Sequence, residues 1–557
     1  MAAVSPVPGA TPSGLGAEIR PFAPARAARG KLRIAVFADR AQQPRWVVEA
    51  LARVAACEYA EIVAIVTELN RGRTPNSPTD TPWLFRAYAG LDRRLFGGAT
   101  DWMDPADVRL LVPAVRRHEV AQAGDAALRD KAIDVAFVLG DVDDRALDGL
   151  ARHGTWRYCF GDDHGHATTL AGVRELLENR QTIASGIRIR RGAGLEDRVA
   201  HPSWSRAVAF SLARGHDGLF PKTAKFLSRA LRDLQAQGAA WFDQATLPAA
   251  QASPERFPGP ASLVRDLARV GGRIAQRTLE HLTTVGQWTL AYRFVDEEPW
   301  TGSLEHFVRL SPPKDRFWAD PFPLEHHGRH YIFFEELPFA ANRAHISVME
   351  VKRDGSHSEP VRVLERDYHL SYPFLVQDGG ELYMIPETAH NRAIELYRCV
   401  RFPDKWKLER ALVRDVWCAD ATIHRAGDRL WMFASIGEEG GEINDELMLF
   451  SSDHLLGEWK PHRRNPVKSD VRNARPAGRL FLERGDLVRP AQICTPLYGS
   501  GIALNRVTRL DDAEYREEEV RRIVPDGDRG ILGLHTINRA GALSVTDAFV
   551  RRSRFGR

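Results

Sequence analysis

Residues 317–336 read FWADPFPLEHHGRHYIFFEE, and this stretch decides the fold of the C-terminal half of the chain. It joins a motif of small and acidic residues, an apolar strand, a glycine-containing turn and a second apolar strand. Successive repeats of this plan begin about 50 residues apart, the size of one four-stranded propeller blade. Between 300 and 550 there is room for five blades, so the sequence predicts a five-bladed β-propeller. The later repeats are LSYPFLVQDGGELYMIPET (370–388), CADATIHRAGDRLWMFAS (418–435), ARPAGRLFLERGDLVRPAQ (474–492) and a closing GILGLHTINRAGALSVTDAF (530–549).

Polar residues recur at equivalent positions of these repeats. The innermost strands of all blades converge on the central channel of a propeller, so such residues are expected to form a ring at one mouth of the channel. The first strands of four repeats contribute Asp320, Tyr372, Asp420 and Arg475. The second strands end with Glu387, Arg489 and Gln492, and the last repeat adds His535.

Several carboxylates in one water-accessible pocket indicate glycosidic chemistry. One acid protonates the leaving oxygen, and a second carboxylate activates water or attacks the anomeric carbon. Arginine, glutamine and tyrosine side chains would recognise hydroxyl and anionic groups, and a rim tryptophan such as Trp318 would stack on a sugar face. The sequence therefore predicts a glycan-binding site in the propeller.

Each candidate also has a structural interpretation. An aspartate before proline, such as Asp320, often caps a turn by hydrogen-bonding backbone amides. The same alternative is open for Asp420. Structural ion pairs, a satisfied histidine and core packing are the corresponding alternatives for Glu387, Arg475, Arg489, His535 and Trp318.

Eight short motifs carry a resemblance to a known family. They are WADPF (318–322), SYPF (371–374), IPET (385–388), IELY (394–397), DATI (420–423), RPAG (475–478), RPAQ (489–492) and HT (535–536). Through them, residues 317–549 resemble the N-terminal domain of plant glucosamine inositolphosphorylceramide transferases, which also occurs in bacterial proteins. That domain is similar to the five-bladed propellers of family 43 and family 32/68 glycoside hydrolases.

The resemblance implies roles for individual residues. In those hydrolases an aspartate of the first blade is the base or nucleophile, a mid-domain aspartate tunes the pKa of the acid, and a later glutamate is the acid. Asp320 matches the first aspartate and Asp420 the second. Glu446 is the first candidate for the acid and Glu387 the next. This mechanism requires no metal and no cofactor.

The N-terminal half alternates between strand-like and helical patterns. The apolar run of residues 31–39 suits a buried parallel strand, and residues 45–56 carry apolar side chains at helical spacing. Strand–helix–strand alternation predicts a doubly wound α/β domain. The strands at 32–38 and 134–140 and the segment AGVRELLENRQTIASGIRIRR (171–191) make residues 31–195 similar to the formyltransferase domain of glycinamide ribonucleotide and methionyl-tRNA formyltransferases.

This half departs from the formyltransferase pattern at the catalytic motif. Arg157 and Cys159 stand where that family has asparagine and histidine. The cluster DDHGH (162–166) offers Asp162, His164 and His166, for which a metal site and a solvated loop are both open interpretations. We expect a degenerate binding or scaffolding module here.

Composition sets the remaining expectations. The 557 residues carry a net charge of +4, which argues against a nucleic-acid binder. Five scattered cysteines and no recognisable signal peptide or transmembrane segment favour a cytoplasmic protein. The expected domains are a disordered tail (1–30), the α/β domain (31–240), a helical connector (241–294) and the propeller (295–557).

Three functional hypotheses follow. The first is a protein of surface-glycan or glycoconjugate metabolism, whose propeller binds a glycan and hydrolyses or transfers a glycosyl unit. The second is a sugar N-formyl or other acyl transferase that uses the propeller for glycan recognition, with a folate-like cofactor at Asp162, His164 and His166. The third is a glycan-binding scaffold without catalysis.

Overall fold

The computed structural model describes the chain in twelve stretches. These are residues 30–67, 81–109, 117–118, 128, 130–140, 142–161, 170–192, 194–248, 257–295, 306–437, 441–525 and 530–555. The described residues form two compact units. The N-terminal unit lies within Pro24–Thr278 and Glu439–Glu442, and the propeller unit lies within Leu279–Glu438 and Ile443–Arg557.

The N-terminal unit contains both helices and strands. In chain order its elements are β1 (Leu32–Ala38), β2 (Gln42–Pro44), α1 (Arg45–Ala56), β3 (Ala60–Val66), α2 (Trp83–Phe96), β4 (Pro105–Asp107), β5 (Arg117–His118), β6 (Val135–Leu139), β7 (Thr155–Phe160), α3 (Val173–Glu178), β8 (Thr182–Arg190), β9 (Arg198–Arg206), α4 (Leu212–Thr223), α5 (Phe226–Gln237), α6 (Ala240–Ala245), β10 (Thr246–Pro248) and α7 (Pro260–Thr283). None of these described helices combines the length and apolar character needed to cross a bilayer.

One mixed sheet organises this unit. Its strand order is β10-β9-β8-β7-β6-β1-β3-β5, parallel from β5 to β7 and antiparallel from β7 to β10. Alternate residues of β1 enter two different apolar clusters, with Ile34 and Val36 on one face and Ala35 and Phe37 on the other. Burial on both faces explains the continuous apolar runs. The predicted doubly wound α/β domain is confirmed in its mixture of helices and strands, and the formyltransferase-like fold stays a prediction. The hairpin that joins β8 to β9 adds antiparallel strands that the alternation pattern did not indicate.

The propeller unit consists of strands β11 to β32. They are β11 (Thr284–Phe294), β12 (Val308–Leu310), β13 (Arg316–His326), β14 (Arg329–Pro338), β15 (His345–Val351), β16 (Val361–Leu364), β17 (Ser371–Asp378), β18 (Glu381–Glu387), β19 (Ala393–Arg401), β20 (Lys405–Arg414), β21 (Trp417–Ala426), β22 (Arg429–Gly437), β23 (Glu446–Ser452), β24 (Lys460–Pro461), β25 (Lys468–Ser469), β26 (Phe481–Glu483), β27 (Asp486–Ile493), β28 (Gly501–Leu510), β29 (Tyr515–Ile523), β30 (Ile531–Gly533), β31 (Ile537–Ala540) and β32 (Leu543–Ser553).

These strands form five antiparallel sheets, which are the five predicted blades. Blades 1 to 4 run from the channel outward as β13–β16, β17–β20, β21–β25 and β26–β29. Blade 5 combines the two ends of the unit, because β11 pairs with β32 along its whole length, from Thr284 opposite Ser553 to Phe294 opposite Leu543. Residues 284–294 therefore belong to the propeller, whereas the sequence pattern had assigned them to the connector. Their partner strand is some 250 residues away, which no local pattern reveals.

The pairing of β11 with β32 in blade 5 predicts that buried residues of β11 stabilise the propeller. Leu290 of β11 is fully buried among Tyr292, Trp318 and Val545. We expect Leu290→Ala to lower the free energy of unfolding of the propeller by about 2–5 kcal/mol, because it removes buried methyl groups and leaves a cavity. Urea unfolding followed by hydrogen exchange of propeller peptides measures the change.

The matched control lies on the neighbouring strand. Val308 of β12 is 41% exposed. Val308→Ala should change the free energy by no more than about 0.5 kcal/mol. Equal effects of the two variants would contradict the closing role of β11.

Candidate functional site

Three blades begin their channel-lining strand with the same backbone irregularity. Asp320, Tyr372 and Asp420 have φ angles of 50°, 44° and 55°, and the pairing register of each strand shifts across that residue. A non-glycine residue in this region costs of order 1–3 kcal/mol and persists where the surroundings demand it. The repeated bulge brings residues of three blades to equivalent positions, as the repeats predicted.

A charged group, which we call the channel cluster, occupies this mouth of the channel. Its members are Asp320, Glu387, Asp420, Arg475 and His535. They come from blades 1, 2, 3, 4 and 5 in that order. The structure thus brings together five of the side chains that the sequence singled out.

Asp420 holds Arg475 in place. Arg475 Nε donates to Asp420 Oδ2 at 2.6 Å, and its Nη2 donates to Oδ1 at 3.3 Å. Gln492 Nε2 donates a further bond to Oδ2 at 2.7 Å. The side chain of Asp420 has no exposed surface, so its oxygens serve to orient the guanidinium and not to contact solvent.

Glu387 is the carboxyl group of the cluster that reaches furthest toward solvent. Its side chain is 15% exposed, and its Oε2 accepts a 3.2 Å bond from Arg475 Nη2. Arg475 Nη1 meanwhile donates to Asn444 Oδ1 at 2.8 Å. Burial raises the pKa of Glu387 well above its usual range, against the pull of Arg475, and a hydrogen bond shared with Asp420 raises it further.

Asp320 contacts residues of blade 5. Thr536 Oγ1 donates a hydrogen bond to Asp320 Oδ1, and His535 Nε2 lies 3.6 Å from the same oxygen. Burial raises the pKa of Asp320 to about 7, although His535 opposes this, and Asp420 and Glu335 add to the rise. The pKa of Asp320 therefore lies close to neutral pH.

His535 is a buried, protonated histidine. Its Nδ1 lies 2.5 Å from Asp547 Oδ2, an ion-pair contact, and its ring stacks on Trp288 at a centroid distance of 4.0 Å. Burial lowers the pKa of His535, but the carboxylates of Asp547 and Asp320 outweigh burial and raise it to about 9. The half-exposed ring of Tyr498 lies 5.2 Å from the His535 ring and 5.0 Å from Arg475 Cζ.

Asp547 supports the cluster from beneath. Its Oδ1 accepts backbone N–H bonds from His535 at 2.9 Å and Thr536 at 3.1 Å, and its Oδ2 accepts the N–H of Asp320 at 3.1 Å. Asp547 and Trp288 are not among the residues predicted from the sequence, and Thr536 was present only as part of the HT motif. A single aspartate within the apolar run LSVTDAF was the available signal for Asp547.

Asp320, His535 and Asp547 also bring ligand atoms within 4.8 Å of one another, as a metal site would. The same atoms already bind each other, Thr536 and backbone amides. We therefore interpret the three residues as a hydrogen-bonded ion-pair group and assign no ion to them.

The other candidates lie elsewhere in the blades. Glu446 is on β23, two strands out from the channel, and accepts a bond from Ser469 Oγ at 3.3 Å. Arg489 pairs with Glu517 through two bonds of 2.7 Å and has no exposed surface. Trp318 donates from Nε1 to Glu336 at 3.3 Å within the core.

Tyr372 lies below the cluster. Its hydroxyl is 2.7 Å from Thr422 Oγ1 and accepts the N–H of Gly478 at 2.7 Å. The tyrosine is fully buried against Phe322, so it forms the floor of the site.

Of the residues singled out in the N-terminal unit, only Arg157 and Cys159 lie in described stretches. Arg157 Nη2 donates to the carbonyl of Val142 at 2.8 Å, and burial raises the pKa of the Cys159 thiol to about 12. Cys159 is therefore a neutral core residue. Asp162, His164 and His166 lie outside the described residues, so the acyl-transfer hypothesis stays a prediction.

The Asp420–Arg475 pair makes a second prediction. Asp420→Ala should cost about 3–5 kcal/mol of propeller stability, because it leaves a buried guanidinium partly uncompensated. The double variant Asp420→Ala/Arg475→Met should recover most of that loss, since it removes the charge as well. Urea unfolding of the single and double variants measures both effects.

The control pair is Arg401–Asp404, which is exposed. Asp404→Ala should produce no measurable change. If the double variant at Asp420 and Arg475 were less stable than the single one, the pairing argument would be wrong.

His535 makes a third prediction, about pH. Its pKa rises from 6.5 to about 9 on folding, so its ionic contribution to stability is complete below pH 6.5 and is lost as the pH rises through about 9. The difference in unfolding free energy between the wild type and His535→Gln should shrink over that interval. Denaturant unfolding at a series of pH values tests this, and a difference independent of pH would contradict it.

Comparisons with known proteins agree with the motif pattern. Residues 309–540 match the family model described as glucosamine inositolphosphorylceramide transferase 1, N-terminal. A glucosamine inositolphosphorylceramide transferase 1 from Oryza sativa subsp. japonica is 34% identical over 218 residues, which cover 38% of this chain and 29% of the relative. The namesake from Arabidopsis thaliana is 35% identical over 208 residues, covering 37% and 27%. The chain thus matches less than a third of the length of these relatives.

Solved glycoside hydrolases are also similar at low identity. A family 117 enzyme from Zobellia galactanivorans has a TM-score of 0.31 at 11% identity and covers 48% of this chain and 90% of its own. The family 62 α-L-arabinofuranosidase of Coprinopsis cinerea has a TM-score of 0.33 at 12% identity, covering 46% and 85%. The five blades are seen in the sheets themselves, and over residues 309–540 the chain is similar to the N-terminal region of glucosamine inositolphosphorylceramide transferase 1.

Proposed function

We propose that the propeller processes a glycosyl unit of a glycoconjugate at the channel cluster. The observation that carries this proposal is that Glu387 and Asp420 share the guanidinium of Arg475, while Asp320 belongs to the same cluster through its contact with His535. Burial raises the pKa of Glu387. Cleavage or transfer of a glycosyl unit requires a proton donor and a second carboxylate. Glu387 is the donor in this proposal, and Asp320 is the base or nucleophile.

The remaining cluster residues support these two roles. Arg475 binds Glu387 and Asp420 together, so it fixes the acid and provides a cation near the reacting groups. The protonated His535 beside Asp320 favours the charged form of that carboxyl group, which the reaction needs. Asp420 positions Arg475, and Tyr498 offers a half-exposed aromatic face to a sugar ring.

The assignment of the acid differs from the first expectation. Glu446 was the leading candidate by resemblance, but its strand is the third of blade 3, whereas Glu387 contacts Arg475 at the channel. We therefore propose Glu387 in that role. The names of the plant relatives suggest a glycosylated inositol phosphate as the substrate class, and Arg475 is a suitable partner for an anionic group of such a substrate.

A glycan-binding role without catalysis is the second candidate. It is favoured by the burial of Asp320, whose side chain is 4% exposed, and of Asp420, which has no exposed side-chain surface. In this role the acids would orient Arg475 and His535, and these cations would recognise the ligand.

The acid is tested with matched glutamine variants. Glu387→Gln should reduce glycosyl release or transfer about 10²–10⁴-fold, because it removes the proton donor. Glu446→Gln, an equally conservative change in the same propeller, should retain activity. Mass spectrometry of products from a panel of glycosides and glycosyl inositol phosphates measures the rates.

The leaving group distinguishes acid catalysis from a structural effect. The 2,4-dinitrophenolate group of a 2,4-dinitrophenyl glycoside leaves without being protonated, so the loss of activity in Glu387→Gln should largely disappear with this substrate. Asp320→Asn should stay inactive on both substrates. Retention of full activity in Glu387→Gln on an unactivated glycoside would reject the assignment. Glycan binding by a wild type that turns over no substrate would favour the binding role.

A further inference from the structure

A cavity lies further along the channel-lining strands, three or more residues beyond Asp320, Tyr372 and Asp420. Its volume is about 480 Å³, and all five blades contribute to its wall. Along β21 it begins at Ile423 and His424, three and four residues beyond Asp420, or roughly 10–13 Å at the rise of a strand. The wall is mainly apolar and includes Pro323, Leu324, Leu375, Ile423, Leu480 and Ala540.

Arg479 is the cation of this cavity. Its Nη2 donates to the carbonyl of Leu375 at 2.5 Å, and its guanidinium lies 4.7 Å from the centroid of the Phe374 ring. Among the described residues no carboxylate forms an ion pair with it. The other charged groups of the wall neutralise each other, since Arg425 Nη2 binds Asp378 Oδ1 at 2.7 Å. Arg479 thus gives the cavity one unbalanced positive charge.

A guanidinium in a mainly apolar wall raises the free energy of the folded protein unless it has a partner. It has five N–H donors and remains charged at neutral pH, and a guanidinium that is partly withdrawn from water is stabilised by a partner. Here burial lowers the pKa of Arg479 to about 10. The carbonyl of Leu375 uses part of the donor fork, so the rest is available to an oxyanion inside the cavity.

The residue before Arg479 is Gly478, whose backbone conformation fixes the direction in which the Arg479 side chain leaves the chain. Gly478 has a φ of 126°, and a Cβ there would lie 2.0 Å from the carbonyl oxygen of Ile537. Its N–H donates to the hydroxyl of Tyr372, the floor of the channel cluster. The segment RPAGR (475–479) therefore places Arg475 in the channel cluster and Arg479 in the wall of the cavity, with Tyr372 between them.

We propose that this cavity is a second ligand site, which binds a small organic monoanion. The oxyanion, a carboxylate or phosphate, contacts Arg479, and an apolar body fills the space between Leu375, Ile423 and Leu480. A volume of this size is in the range of small-molecule sites, about 300–1,000 Å³. The site is separate from the channel cluster and does not depend on the proposed reaction there.

Benzoate is a suitable probe, with benzyl alcohol as its neutral counterpart. We expect saturation-transfer NMR and calorimetry of the full chain to show benzoate binding at millimolar concentrations, and binding of benzyl alcohol to be about tenfold weaker or more, since it lacks the charged partner of the guanidinium. Arg479→Gln should reduce benzoate affinity by a similar factor. Arg401→Gln, a change at an exposed arginine outside the cavity wall, should leave the affinity within about twofold of wild type.

A second variant keeps the test independent of the arginine. Ala540→Phe places an aromatic ring in the cavity and leaves Arg479 unchanged, so it should abolish benzoate binding while the unfolding midpoint stays close to that of the wild type. Competition by inorganic phosphate would identify the oxyanion as the shared feature. The proposal is overturned if the wild type binds no benzoate, or if folded Arg479→Gln and Ala540→Phe bind it as tightly as the wild type.

Discussion

One buried carboxylate, Asp547, holds the first and last blades of the propeller together. It accepts backbone N–H bonds from Asp320 of blade 1 and from His535 and Thr536 of blade 5, and it forms an ion pair with the His535 ring. The channel cluster depends on this arrangement, because the same contacts fix the backbone at two of its members. The same hydrogen bonds therefore join the first and last blades and fix the backbone of the channel cluster.

The charges above this anchor are organised in pairs. Asp420 forms an ion pair with Arg475, and Asp547 forms one with His535. The carboxyl groups with raised pKa values are those of Glu387 and Asp320. Burial alone would neutralise both groups. The two cations oppose that tendency unequally, so the acids differ in how readily they ionise, and such a difference is what acid–base chemistry at neutral pH uses.

The sequence predicted the blades well because each repeats a local pattern of strand, turn and strand. It also located Asp320, Tyr372 and Asp420, since a bulge at the same point of three repeats gives them equivalent positions, and Arg475 at the matching point of the fourth repeat. It could not show that Asp420 is saturated by Arg475 and Gln492, nor that Glu446 lies two strands out from the channel. Those facts depend on packing between blades. The strand β11 was missed for the same reason, because its partner is at the far end of the unit.

The shared fifth blade has a consequence for synthesis of the protein. Thr284–Phe294 leaves the ribosome long before Leu543–Ser553, its hydrogen-bonding partner. At about 5–20 residues per second, the delay is roughly 13–50 s. During that time β11 is an edge strand without its neighbour, the kind of edge on which foreign strands add. Nascent chains of this protein are therefore expected to need protection at β11, by a chaperone or by the ribosome surface, until the last strand emerges.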